Sequence, residues 1–273
     1  METNVFLRRS DELVAMKEIL SLSHLVLGSF VVMLIPYFGV AQTMQFISSN
    51  RPADTSTKAS SEATTVVKNM HLMPLFGETT KSIEQIEFEI TFLNDCDQNF
   101  TNRTEASQFF SARGWEYLQE GDLDTACYRF NLAYLLDTKN SDCYWGLGVV
   151  CFQKGHLTDA ERMLRKGADM DSTNVGLLVD LATVDLIHYK EAKENWELME
   201  AEQILNRAIR LDSTSANAYL KKSVLEFHKG NYDAAWANLH KTRLLDMELL
   251  DYEFMKELLA KKCDPEGIFS TQN

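Results

Sequence analysis

Four aspartates punctuate this chain at a nearly fixed interval. Asp137, Asp171, Asp212 and Asp246 each close an apolar helical pattern, and the spacings between them are 34, 41 and 34 residues. A period near 34 residues is the spacing of stacked helical hairpins. A single hairpin of that length cannot bury its own apolar face, so consecutive units must cover one another. The period predicts an all-α solenoid of about four units.

The interior of each unit repeats as well. From Gly114 the steps run to Gly121, Ala126, Phe130 and Ala133. The same steps from Gly148 reach Gly155, Ala160, Leu164 and Gly167, and from Ser223 they reach Gly230, Ala235, Leu239 and Thr242. The third unit opens with Ala182 and closes with Ala201, Leu205 and Ala208. A small residue on the first helix lets the second approach, and a glycine at the bend tolerates positive φ. The alanine sits at the tightest crossing, with Phe130 or a leucine filling the space beside it. Gly114, Ala126, Phe130, Gly148, Ala160, Ala182, Ala201, Ser223 and Ala235 are therefore the expected packing positions.

Residues 107–247 in this way resemble the tetratricopeptide repeat family, with repeats at 107–140, 141–174, 175–215 and 216–247 and a capping helix at 248–262. The proline that commonly follows such a repeat is replaced by Thr138, Ser172, Ser213 and Met247. The third repeat holds seven extra residues within 187–200, about two helical turns, which predicts a longer hairpin with Trp196 at its tip. The resemblance implies a concave groove lined by the first helices, and places Ser111, Trp115, Trp145, Val149, Phe152, Val179, Leu186, Leu220 and Val224 towards it. Aromatic anchors are common binding hot spots. Two competing expectations stand beside this one: residues 70–93 fill the groove, or Trp115 and Trp145 belong to the core. The basic carboxylate clamp of the chaperone-tail branch is not matched, because Ser111, Trp115 and Gly146 occupy the corresponding places.

Ahead of the repeats the chain changes character. Residues 19–40 hold no Asp, Glu, Lys or Arg, long enough to span a bilayer as a helix. Pro36 and the small residues Gly39 and Ala41 instead suit a secretory signal cut before Gln42. Residues 1–41 are thus read as signal peptide or signal anchor, of the exported bacterial type, with Met16 as a candidate start. Either reading places the rest outside the cytosol, in periplasm or medium or tethered to a membrane through 19–40. Residues 42–69 are a Ser/Thr-rich linker with little apolar content. Residues 70–104 form a lead-in containing an amphipathic helix from Ser82 to Leu93, with Ile83, Ile86, Ile90 and Leu93 on one face and a Ser82–Gln85 capping box. Residues 105–262 make the repeat domain and 263–273 a tail.

No phosphate-binding loop, nucleophile elbow or His-x-x-x-His pair occurs, and the six histidines are scattered. The expectation is a non-catalytic protein without cofactor or metal. A formal charge of −13 disfavours phosphate backbones, so nucleic acid is not the expected partner. The five cysteines show neither zinc spacing nor a disulfide framework, although a bridge between two of Cys127, Cys143 and Cys151 stays open. The function this predicts is an adaptor that binds a partner polypeptide. The alternatives are a membrane-anchored scaffold for an envelope complex and, from another class, an enzyme or cofactor protein with an unrecognised site.

Overall fold

The computed structural model describes residues 70–269; residues 1–69, with the apolar run and the linker, and 270–273 lie outside the described part. Among the described residues ten α-helices follow one another: α1 (Ile83–Asn99), α2 (Arg103–Gln119), α3 (Leu123–Leu136), α4 (Ser141–Gln153), α5 (Leu157–Met170), α6 (Val175–Ala192), α7 (Asn195–Leu211), α8 (Ala216–His228), α9 (Tyr232–Leu245) and α10 (Tyr252–Lys261). Short 3₁₀ turns occupy Pro74–Glu78 and Met247–Leu249. No helix among the described residues is long and apolar enough to cross a membrane.

The periodic aspartates mark the repeat boundaries through hydrogen bonding. Asp137, Asp171 and Asp212 leave helical geometry, and each backbone N–H still donates to the carbonyl four residues back. Their Oδ1 atoms then accept the N–H of Lys139, Thr173 and Thr214 at 2.8–2.9 Å. This turn stops the helix where a proline otherwise would. The next helix starts at once, because the side chains of Asn140, Asn174 and Ser215 accept N–H groups from the first turns of α4, α6 and α8.

Between the two helices of a hairpin, Gly121, Gly155 and Gly230 hold φ near +80° (80°, 78° and 78°) with open space around them. The third hairpin lacks this glycine; Lys193 takes the left-handed position instead, at φ 61°. The inserted residues lengthen both helices there. α6 has 18 residues against 13 in α4, and α7 has 17 against 14 in α5. Trp196 is exposed at the tip.

Packing follows the small-residue positions. Ala126, Ala160, Ala201 and Ala235 are fully buried, one per hairpin. The Phe130 ring sits between Gly114 of its own hairpin and Gly146 of the next; a Cβ on either glycine would collide with it. Leu164 likewise fills the space over Gly148. Ser223 replaces glycine in the fourth hairpin, and its hydroxyl donates to the Ala235 carbonyl at 2.7 Å. First helices of successive hairpins touch one another, α2 on α4, α4 on α6 and α6 on α8. Contact between successive second helices is sparser, and in a stack of hairpins such an asymmetry bends the array towards the side in closer contact, here that of the first helices.

α1 corrects the expected orientation of the lead-in. Its inward residues are Gln85, Glu89, Phe92 and Cys96, while Ile83 and Ile90 are 72% and 54% exposed and Ile86 is exposed too. The aromatic side chains decide this. Phe92 meets Phe110 edge-on at 5.3 Å, and Phe88 lies tilted against His71 at 5.7 Å. Rings bury more area than the isoleucines would. Ser82 accepts the Gln85 N–H at 3.3 Å, but the Gln85 side chain turns inward and does not complete the capping box.

At the other end, the segment expected as a tail docks as far as residue 269. The Trp236 indole donates to the Lys262 carbonyl at 3.0 Å, and Phe269 stacks on His240 at 5.5 Å. His240 Nε2 lies 2.7 Å from Asp264 Oδ1. Burial pushes the Asp264 carboxyl up, but the N–H groups of Phe269 and Glu266 and the His240 ring hold it below the ordinary carboxylate range.

Candidate functional site

The side chains expected to line the inner curve come from α2, α4, α6 and α8. Ser111, Trp115, Trp145, Val149, Val179, Leu186 and Leu220 are all buried, and only Phe152 and Val224 are partly exposed. The first-helix positions therefore serve the packing between successive first helices more than an open lining. Trp115 meets the Phe130 ring at 5.3 Å and the Trp145 ring at 5.0 Å, both edge-on. The Trp145 indole lies over Gly176 of α6 and donates to Asp180 Oδ2 at 2.7 Å. Ser111 Oγ accepts from Asn140 Nδ2 at 3.0 Å. Trp115 and Trp145 are core side chains, as the competing expectation had it. Residues 70–78 do not fill the inner curve; their polar contacts go to the second helices α3 and α5.

Two features of the outer side carried no signal in the periodicity. The first is a knot around Arg165 of α5. Its guanidinium donates to Glu161 (2.8 Å), to Asp185 of α6 (3.3 Å) and to both carboxylate oxygens of Glu200 of α7, one at 2.8 Å. His188 Nδ1 sits 3.1 Å from the other oxygen of Glu161. Burial pushes the Asp185 carboxyl up to about 7, against the pull of Arg165, and Glu200, Glu161 and Glu197 add to the rise. The second is a cleft of about 500 Å³ between α5, α6 and α7, floored by Ala168, Leu178, Leu181 and Ile204 and edged by Arg207 and Arg210. These features join residues from three helices, so no local pattern could announce them.

All five cysteines are unbridged; Cys263 alone is exposed. Burial raises the thiols of Cys96, Cys127, Cys143 and Cys151, to about 11 for Cys96 and about 12 for Cys127 and Cys151. Such thiols are poor nucleophiles. Among the described residues no group of three or more His, Cys, Asp or Glu side chains is arranged to hold a metal ion.

Hairpin geometry, repeat length and stacking define a tetratricopeptide-type solenoid, and by fold this chain is a protein of that type. Solved structures with the same architecture include one from a functional characterization of pilF of Pseudomonas aeruginosa, 21% identical, covering 63% of this chain and 79% of that one at a TM-score of 0.50. Another is TTC0263, a thermophilic TPR protein of Thermus thermophilus, 20% identical, covering 57% of this chain and 87% of that one at a TM-score of 0.48. No protein-family model and no curated protein sequence matches the chain.

Proposed function

We propose that the protein is a non-catalytic adaptor that binds a partner polypeptide along the inner curve of its repeats, outside the cytosol. The observation that carries this reading is the side-by-side arrangement of α2, α4, α6 and α8, a continuous face of the kind solenoids use for extended contacts. Of the side chains expected to line it, Phe152 and Val224 are the partly exposed ones. The acidic balance favours a protein partner over nucleic acid. The charge-free run at 19–40 supports an exported chain, cleaved before Gln42, and equally a membrane-anchored scaffold in which that run is kept.

The test is a tagged pull-down from the native cell with Phe152→Asp and Val224→Asp variants, together with the intact mass of the recovered protein. Both variants should keep their helical circular dichroism and lose specific companions. Unchanged capture would refute use of the inner curve. A mass beginning at Gln42 would fit the exported adaptor, and a full-length mass confined to membranes would fit the scaffold.

A further inference from the structure

Residues 70–78 are bound to the outer helices in the manner of a ligand. Asn131 of α3 is completely buried, and its amide reads the backbone of this segment at three points: Oδ1 accepts the Leu75 N–H at 2.8 Å, and Nδ2 donates to the carbonyls of His71 (3.0 Å) and Met73 (2.8 Å). Leu75 and Phe76 are each only 4% exposed and enter two separate apolar clusters. The His71 ring stacks on Tyr128 at 4.7 Å. The Glu78 carboxylate then spans Arg162 and Lys166 of α5, the latter at 2.6 Å, and the Lys166 hydrogen bond leads in holding that carboxyl below its usual range.

Backbone, two adjacent side-chain pockets and a carboxylate clamp are the elements by which a peptide is recognised. The backbone contacts and the clamp are supplied by α3 and α5, and only the Phe76 pocket and the His71 ring also meet α1, through Phe92, Cys96 and Phe88. The segment also takes up an unfavourable backbone to satisfy them. Leu75, Phe76 and Glu78 have φ of 53°, 55° and 51°, flanking Gly77 at 74°, and left-handed geometry is sterically disfavoured for side-chain-bearing residues. That strain works against the high effective concentration a tethered segment enjoys.

We propose that this face of α3 and α5 is a second peptide-binding site, filled in cis by residues 70–78, and that it takes partner segments carrying two adjacent large apolar side chains, a glycine and a carboxylate. Its polar contacts come from the second helices α3 and α5, and its Phe76 pocket is shared with α1 and α2.

The experiment uses the full chain. A Leu75→Ala/Phe76→Ala/Glu78→Ala variant keeps every residue of the site but weakens the resident segment. A fluorescein-labelled synthetic peptide of residues 70–81 is titrated against it by anisotropy. It should bind at least ten-fold more tightly to this variant than to the unaltered chain, and Asn131→Leu in the variant should reverse the gain. Equal affinity for both chains, or indifference to Asn131→Leu, would overturn the proposal. Should the variant lose its helical circular dichroism, amide exchange on the unaltered chain decides. Saturating peptide should strip protection from the Leu75 N–H, and unchanged protection would count against the site.

Discussion

The Trp145 indole of the second repeat donates its N–H to the Asp180 carboxylate of the third at 2.7 Å, with both side chains buried. This bond crosses a repeat boundary, so it fixes how two hairpins sit on each other. Removing a buried acceptor costs about 1–3 kcal/mol. Asp180→Leu should lower the unfolding free energy by that amount in urea titrations. Asp180→Asn, which keeps an acceptor oxygen, should cost less.

Phe130 is gripped by glycines from two hairpins. Helix propensity alone would make Gly146→Ala stabilising by about 1 kcal/mol. The Phe130 ring occupies the space of that new methyl, and overpacking costs roughly 1–3 kcal/mol. Gly146→Ala and Gly114→Ala should both lower the thermal midpoint. Combining either with Phe130→Leu should cost less than the sum of the single changes.

Asp185 makes stability depend on pH with a definite sign. Its folded-state carboxyl is pushed up to about 7 by burial, above its usual value of 3.8. Below both values it is protonated folded or unfolded and has no effect. As pH rises from about 4 to 7 the unfolded chain ionises first, and stability falls. Asp185→Asn removes this fall while Arg165 keeps Glu161 and Glu200. The variant should therefore gain on the parent between pH 5 and pH 8 in chemical denaturation. A pH-independent difference would show that Asp185 does not titrate there.

The cysteines give an inexpensive test of the packing. Native protein should show one fast thiol, Cys263, towards a disulfide reagent, and the other four should react only on unfolding. Cys263→Ser should abolish the fast phase without shifting the thermal midpoint by more than about 2 °C, as expected of an exposed position.

Much of the fold was legible because its determinants recur locally. The aspartate turns and the crossing alanines act over a few residues and recur at every period, and the bend glycines recur in three of the four hairpins, with Lys193 in their place in the third. Legibility failed at α1, where Ile83, Ile86 and Ile90 form a regular stripe that faces outward. Periodicity reports which residues share a face, not which face a neighbour will cover. Here the Phe110 ring offered the larger contact to Phe92, and His71, itself stacked on Tyr128, offered it to Phe88. The inner-curve residues show the same limit. The family resemblance put them on the inward side of the first helices, but whether Trp115 and Trp145 stay open or pack depends on how closely the next hairpin approaches.

The sequence by itself determined the helical hairpin, its length and its fourfold repetition, because backbone turns and close helix crossings demand particular small or polar residues at fixed intervals. Only the tertiary structure decided which surfaces are left over. Asn131 gripping residues 70–78, Arg165 joining three helices and His240 closing over Asp264 all join groups from 20 to 60 residues apart. Their energies depend on burial and on distances of a few ångströms, and neither quantity exists until the hairpins have stacked.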